Sequence, residues 1–131
     1  MARPRIVVSS TDHARLTQLA NGLLERRPEL ADELLGELER ARVARDGSIP
    51  AGTVQMGCAV EYHTEDNATR RVVLVYPGDA DIAQGKVSVL TPIGTALLGL
   101  SAGQTIDFVA NDGRKHLLTV VSVEPAADKV A

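Results

Sequence analysis

The feature that most constrains this chain is a change in the spacing of its apolar residues near position 52. Before this point, leucines recur every three or four residues, as on one face of an α-helix. After it, apolar and polar residues alternate with a period of two, as on a strand with one buried face. The segment between them, RDGSIPAG (45–52), carries two glycines and a proline, which interrupt regular structure. We therefore divide the chain into an N-terminal helical part, residues 1–52, and a β-rich C-terminal domain, residues 53–131.

The N-terminal part is predicted to form a short strand, Arg3–Val8, and then an antiparallel helical hairpin. Ser10 or Thr11 is the expected N-cap of the first helix, and Asp12 follows in the first turn, where the helix dipole favours a carboxylate. Pro28 suits the first turn of the second helix. Two helices of about 16 residues, about 24 Å each, predict a short intramolecular coiled coil. Its apolar stripes are Leu16, Leu19, Leu23 and Leu24 on the first helix, and Leu30, Leu34, Leu35, Leu38 and Ala41 on the second.

The C-terminal domain is predicted to contain an antiparallel sheet of five strands. The first runs from Thr53 to His63 and places Cys58 on its buried face, as a small hydrophobic side chain. The second, RRVVLVYP (70–77), is apolar enough to be buried on both faces. The turn NDG (111–113) tolerates positive φ and joins the last two strands. The remaining strands are KVSVLT (86–91), TIDFVA (105–110) and RKHLLTVVSVE (114–124), and the tail PAADKVA (125–131) is expected to fray.

One short helix is predicted between the third and fourth of these strands. Thr91 is placed to cap it, Pro92 fits its first position, and Gly99 ends it in a left-handed conformation. A helix of about two turns is unstable alone, so it must cover the concave face of the sheet. The predicted fold class is therefore α+β.

Composition excludes several classes of protein. With 14 Lys and Arg against 17 Asp and Glu, the net charge is −3, which argues against a general electrostatic nucleic-acid binder. The aromatic residues are Tyr62, Tyr76 and Phe108, too few for a base-stacking platform. A lone cysteine requires no oxidising compartment, and the apolar run Ile6–Val8 is too short for a signal peptide or a membrane span. We expect a cytoplasmic protein whose partner is another protein.

No group of side chains in the sequence predicts catalysis. His13, His63 and His116 lack the spacing of a metal site or a catalytic triad. A prolyl-isomerase pocket, usually lined by aromatic rings, is disfavoured because so few aromatic residues are present. The charge run of the second helix, with Glu37 and Arg40 at i,i+3, predicts a solvated outer face. We expect no enzymatic activity, no cofactor and no metal.

The segment VLVYPGDADIAQGKVSVLTPIGTALLGLSAGQTIDFVANDGRKHLLTVVSVE (73–124) resembles the C-terminal FKBP-like domain of the Gre transcript-cleavage factors. The shared order is an Asp-Ala-Asp loop, a Thr-Pro-Ile-Gly turn and an Ala-Leu-Leu-Gly helix. Within that superfamily, RPRIVVSSTDHARL (3–16) and LVYPGDAD (74–81) resemble the branch of regulators of nucleoside diphosphate kinase. The resemblance covers residues 3 to about 125.

The resemblance implies a partner and a contact surface. Gre factors bind bacterial RNA polymerase near its secondary channel, with the C-terminal domain on the rim and the helical hairpin pointing inward. In this sequence Asp79 and Asp81, together with Thr91, Pro92 and Ile93, lie where the docking loops of the family lie. These five residues are the predicted contacts. Thr91 and Pro92 also have a complete local role as the cap and first residue of a helix.

The hairpin tip, LLERRPELADE (23–33), distinguishes between two functions that the resemblance allows. Gre factors carry paired acidic residues there, which help to hold a catalytic magnesium ion. Here Arg26 and Arg27 separate Glu25 from Glu29, and the arms are shorter than those of Gre factors. The implied function is a non-enzymatic transcription regulator that competes with Gre factors. The alternatives are a reduced Gre-type cleavage factor and an FKBP-like protein-interaction module.

Overall fold

The fold begins with a short strand and two helices, and a curled sheet with one short helix follows. The computed structural model describes residues 6–45, 49–50, 52–65, 68–110 and 112–124. The start of the predicted strand at residue 3, part of the 45–52 segment, Asn111 and the tail from residue 125 lie outside them. The elements are β1 (Val7–Ser9), α1 (Ser10–Leu23), α2 (Pro28–Arg40), β2 (Arg42–Ala44), β3 (Ala59–Thr64), β4 (Thr69–Val75), β5 (Lys86–Ser88), α3 (Pro92–Leu97), β6 (Thr105–Val109) and β7 (Lys115–Glu124). The predicted α+β class is confirmed.

The helical hairpin is slightly shorter than predicted, with 14 residues in α1 and 13 in α2. The N-cap of α1 is Ser9 rather than Ser10 or Thr11, and its Oγ accepts a hydrogen bond from the Asp12 amide at 3.2 Å. The predicted cap was wrong by at least one residue, because β1 passes directly into α1 without a linker. Pro28 begins α2 as predicted. Leu24, at the tip, is 41% exposed and does not join the buried stripe.

Two features of the helical part differ from the prediction. Strand β2, which was not predicted, pairs in parallel with β1 and forms a small second sheet. Glu37 is only 5% exposed, so the prediction of a solvated face is wrong at this residue. The reason is its spacing, since Glu37 lies three residues after the buried Leu34 and shares its helix face. The carboxylate accepts a hydrogen bond from Arg40 Nη2 at 2.9 Å.

The main sheet has five strands in the order β5-β4-β3-β7-β6. The pairs β3/β4, β3/β7 and β6/β7 are antiparallel, but β4/β5 is parallel, so the predicted all-antiparallel sheet is wrong at one edge. Two 3₁₀ turns, Pro77–Asp79 and Ile82–Gln84, carry the chain back along β4 before β5 begins. Gly85 completes this return with φ +73°, and its carbonyl accepts from the Val73 amide at 2.8 Å.

Two predicted strands differ in extent or burial. The first begins at Ala59 rather than Thr53, because Gly57 has φ +85° and interrupts the extended backbone. The alternation of buried residues before it is nevertheless real, and Cys58 is buried as predicted. Strand β4 is not buried on both faces: Leu74 is fully buried, whereas Thr69–Arg71 is exposed. One face of the sheet meets solvent, which the apolar run of β4 alone did not reveal.

Helix α3 has the predicted boundaries. Thr91 Oγ1 accepts a hydrogen bond from the Gly94 amide at 3.0 Å, Pro92 is the first helical residue, and Gly99 follows the helix with φ +79°. Leu97 and Leu98 are fully buried. They belong to one hydrophobic cluster that includes Ile6, Val8, Leu16, Ala20, Leu34 and Leu38 from the helical part and Val60, Tyr62, Leu74, Ile106, Phe108, Leu118 and Val120 from the sheet.

The junction between the helical part and the sheet domain is built around the Gln55 side chain. Its Oε1 accepts from the Ser9 amide at 3.0 Å, and its Nε2 donates to the Val7 carbonyl at 2.7 Å. The Val7 amide in turn donates to the Gly99 carbonyl at 3.2 Å, and the Gly99 amide donates to Val54 at 2.9 Å. The N-terminal strand is therefore held by both α3 and the chain before β3. The proposed domain boundary at residue 52 stays a prediction.

The close approach of α3 to the end of β5 gives a stability prediction. A Cβ at Gly94 would collide with the Ser88 carbonyl oxygen and lie 2.8 Å from Val89 Cα, whereas at Gly36 it would meet nothing within 4 Å. Gly94→Ala should lower the free energy of unfolding by about 3 kcal/mol. The matched helical control Gly36→Ala should raise it by up to about 1 kcal/mol. Urea denaturation measures both, and similar values for the two variants would contradict this packing.

Candidate functional site

The loop between β4 and β5 presents the predicted contact residues Asp79 and Asp81 to solvent. It is nevertheless well fixed, since the backbones of Asp81 and Lys86 exchange two hydrogen bonds of 2.9 Å. Asp81 Oδ1 also accepts from the Ala83 amide at 3.1 Å and so caps the second 3₁₀ turn. Ile82, the residue after Asp81, is 90% exposed. The loop therefore offers carboxylates and one apolar side chain on a preformed backbone.

The turn that begins α3 holds the other predicted contacts, Thr91, Pro92 and Ile93, all of them half-buried. The Thr91 hydroxyl donates to the Ser88 carbonyl at 2.7 Å as well as accepting from Gly94. Its local structural role is thus complete. Ile93 has a second environment, because it packs against the core and also lines a pocket.

That pocket, half-enclosed and about 160 Å³ in volume, lies between α3 and the ends of two hairpins. Two of the three aromatic residues, Tyr62 and Phe108, line it. Sequence analysis missed it because a low aromatic count says nothing about where those rings converge. The available signal was that both residues occupy inward positions on their strands. The lining residues are Tyr62, Thr64, Glu65, Arg70, Ile93, Phe108, Ala110 and His116.

His116 forms a polar cluster at the rim of this pocket. Its Nδ1 lies 3.2 Å from Glu65 Oε1 and its Nε2 lies 3.2 Å from Asp112 Oδ2. The ring centroid is 5.8 Å from that of Phe108. Backbone hydrogen bonds, together with His116, hold the pKa values of Glu65 and Asp112 below their usual range. The cluster joins the end of β3 to the β6–β7 turn and so shapes one wall of the pocket.

The hairpin tip holds the remaining predicted residues, Glu25, Arg26, Arg27 and Glu29, and all four are exposed. The Arg27 Nε lies 3.5 Å from Glu29 Oε1, a weak surface ion pair. Within the described ranges, no three His, Cys, Asp or Glu residues are grouped closely enough to hold a metal ion. The tip lies at the end of the hairpin away from β1 and β2.

Tyr76 connects the hairpin to the loop that carries Asp79 and Asp81. Its hydroxyl donates to Asp12 Oδ1 at 2.9 Å, and the Arg15 guanidinium lies 4.4 Å from its ring centroid. Burial, with the Asp12 charge, raises the pKa of the Tyr76 phenol well above its usual value. The first turn of α1 is thereby fixed against the start of the loop.

Comparison with known proteins decides the family. Residues 49–125 match the family described as transcription elongation factor GreA/GreB, C-terminal part, and residues 4–43 match the Rnk N-terminus. This chain belongs to the GreA/GreB family. It is 31% identical over 125 residues to the "Regulator of nucleoside diphosphate kinase" of Escherichia coli (strain K12), covering 95% of this chain and 92% of that protein. The predicted resemblances to the Gre superfamily and to this branch are both confirmed.

Two other members of the GreA/GreB family show how much of each chain is similar. GreA of Rhodopseudomonas palustris (strain TIE-1) is 33% identical over 85 residues, which are 64% of this chain and 54% of that GreA. A solved structure, the prokaryotic transcription elongation factor GreA/GreB from Nitrosomonas europaea, has a TM-score of 0.75 at 35% identity and covers 92% of this chain and 99% of its own. The helices and sheet therefore share the GreA/GreB fold.

The E. coli relative is named as a regulator of nucleoside diphosphate kinase. In the described part of the chain, no helix is both long and apolar enough to cross a membrane.

The contact of Tyr76 with Asp12 gives a pH-dependence prediction. Tyr76→Phe should lower the free energy of unfolding by about 1 kcal/mol at neutral pH, because Asp12 loses a hydrogen-bond donor. Folding raises the pKa of Tyr76, so its contribution is intact below the unfolded value of about 10 and is lost as the pH rises above it. The difference between wild type and variant in urea denaturation should therefore shrink by about 1 kcal/mol between about pH 8 and about pH 11. If the difference in free energy of unfolding between wild type and variant does not change with pH, the hydrogen bond between Tyr76 and Asp12 is contradicted.

Proposed function

We propose that the protein is a non-enzymatic transcription regulator that binds bacterial RNA polymerase at the entrance of the secondary channel and competes there with Gre factors. The observation that carries this proposal is the combination of a GreA/GreB-type C-terminal domain with a hairpin tip whose two glutamates are separated by two arginines. The first feature supports the same partner as the family. The second argues against the chemistry of a cleavage factor.

The C-terminal domain, which we propose to be FKBP-like, would make the main contact. The exposed carboxylates of Asp79 and Asp81 suit a basic surface on the polymerase, and the fixed backbone of their loop lowers the entropy lost on binding. Pro92 and Ile93 would add apolar contact. Because Tyr76 fixes this loop against α1, docking of the domain also sets the direction of the hairpin.

The hairpin, which we propose to act as a short coiled coil, would occupy the channel without completing a metal site. Arms of 14 and 13 residues are about 20 Å long at 1.5 Å per residue. Arg27, 3.5 Å from Glu29, would also repel a magnesium ion. The protein would work in the cytoplasm with no metal or cofactor of its own, and no direct sequence-specific nucleic-acid binding is proposed.

A competition experiment tests the proposal directly. The protein is titrated against bacterial core RNA polymerase carrying a labelled Gre factor, and backtracked complexes in the same samples are scored for transcript cleavage. Displacement of the Gre factor without cleavage is the expected result. Cleavage that depends on Mg²⁺ and disappears in the Glu25→Gln, Glu29→Gln double variant would favour the cleavage-factor alternative. If no binding is detected at tens of micromolar, which corresponds to a binding free energy weaker than about −7 kcal/mol, the proposal is wrong. The remaining alternative is then a module that binds another protein.

Asp81→Asn tests the role of the loop charge. The amide oxygen can still accept from the Ala83 amide and keep the cap, so only the negative charge is lost. We expect about threefold weaker polymerase binding and a shallower dependence on salt. Asp32→Asn, an exposed position on α2, is the matched control and should change neither quantity. Equal effects of the two variants would mean that net charge matters and this loop does not.

A further inference from the structure

One imidazole ring connects the turn of the β6–β7 hairpin to the end of β3. His116 Nδ1 lies 3.2 Å from Glu65 Oε1, and His116 Nε2 lies 3.2 Å from Asp112 Oδ2. Glu65 directly follows the last residue of β3, whereas Asp112 belongs to the turn that leads into β7. Both nitrogens of the ring therefore face a carboxylate oxygen, and the two carboxylates come from different parts of the sheet.

The backbone holds both carboxylates in place without help from the ring. Glu65 Oε1 accepts a hydrogen bond from the Leu117 amide at 3.1 Å, and Asp112 Oδ1 accepts one from the Arg114 amide at 2.8 Å. Hydrogen bonds from backbone amides are also the largest cause of the lowered pKa values of both carboxyl groups. Both therefore stay ionised in the range where a histidine changes its charge.

Packing restrains the ring between these two carboxylates. The His116 side chain is 29% exposed, and its ring centroid lies 5.8 Å from that of the buried Phe108, with 33° between the ring planes. Movement of the ring away from either carboxylate would give up part of this contact.

The protonation state of the ring decides how many of these contacts are favourable. A neutral imidazole carries one N–H and one lone pair, so it donates to one carboxylate only. Its second nitrogen then faces an anionic oxygen that has no proton to donate. The imidazolium carries two N–H groups and donates to Glu65 and Asp112 at once.

The other ionisable groups around His116 do not replace this pairing. Tyr62 and Arg70 line the same pocket, on β3 and β4. Burial raises the pKa of Tyr62, so its phenol is neutral, and the Arg70 side chain is exposed to solvent that screens its charge. On the turn and on β7, Arg114 is exposed, and Lys115 Nζ lies 3.8 Å from Asp107 Oδ2.

We propose that His116 is a proton-dependent clamp, in which the imidazolium form ties the β6–β7 hairpin to the end of β3 and the neutral form releases one of the two carboxylates. The inference does not depend on the proposed function. A histidine in an unfolded chain, which lacks these contacts, titrates at about pH 6.5. The stabilisation by the clamp is therefore present below that pH and is lost as the pH rises above it.

Urea denaturation of wild type and His116→Gln, at about pH 5.5 and about pH 7.5, tests the clamp. Glutamine is always neutral, so the midpoint of wild type relative to this variant should be higher at the lower pH by about 0.2–0.5 M. The control is His63→Gln on β3, since His63 has no ion-pair partner among the residues that the structure describes. Its midpoint relative to wild type should be the same at both pH values.

A second variant assigns the effect to the two carboxylates. In the Glu65→Gln, Asp112→Asn double variant the amide oxygens still accept from Leu117 and Arg114, and the amide groups fit either form of the ring. Replacing His116 in this background should therefore give the same midpoint shift at both pH values. If the pH dependence persists there, or if wild type and His116→Gln differ equally at both pH values, the inference is overturned.

Hydrogen exchange on wild type gives a readout that needs no variant and decides the matter if His116→Gln does not fold. The clamp holds the Leu117 and Arg114 amides near their carboxylate acceptors. Their protection factors should fall by about threefold between about pH 5.5 and about pH 7.5. The Val73 amide, bonded to the Gly85 carbonyl on the other side of the sheet, should keep its protection. Equal changes at all three amides would contradict a local clamp.

Discussion

The arrangement of the whole molecule depends on how the first strand is held by the sheet domain. The Gln55 amide bonds to both Val7 and Ser9, and Gly99 accepts from the Val7 backbone. Gly99 permits this contact because a Cβ there would collide with Ile6 and would also be strained at φ +79°. Since α1 starts directly after β1, these few hydrogen bonds fix where the hairpin leaves the domain. A single continuous core then forms across the junction.

The proposed contact surfaces all lie on elements that are held in place around this junction. The loop with Asp79 and Asp81 is fixed at one end by Tyr76 against α1 and at the other by pairing with Lys86. The turn at Ile93 is fixed because α3 lies directly on the end of β5. The pocket lies where α3, β3 and the β6–β7 hairpin meet. A partner would therefore meet a surface whose backbone is already in place, so binding would cost little ordering entropy.

Local rules predicted the parts of the candidate site that depend on local contacts. Thr91 and Pro92 could be assigned as a cap and first helical residue because both roles are satisfied within four residues along the chain. The pocket could not be predicted, because Tyr62 and Phe108 lie far apart in sequence and converge only through strand pairing. The burial of Glu37 could have been predicted from its position three residues after Leu34. Its charge instead favoured the prediction that it lies on the solvated face.

The sequence by itself determined the α+β class, the hairpin, the extent of α3 and the family, because periodicity, caps and short motifs are local properties. The tertiary structure alone decided the parallel pairing of β4 with β5 and of β1 with β2. Strand pairing joins residues that are distant in the chain, and a three-residue strand such as β2 carries too little pattern to specify its neighbour. The convergence of Tyr62, Ile93 and Phe108 on one pocket has the same origin. It arises from register and packing, which no local pattern records.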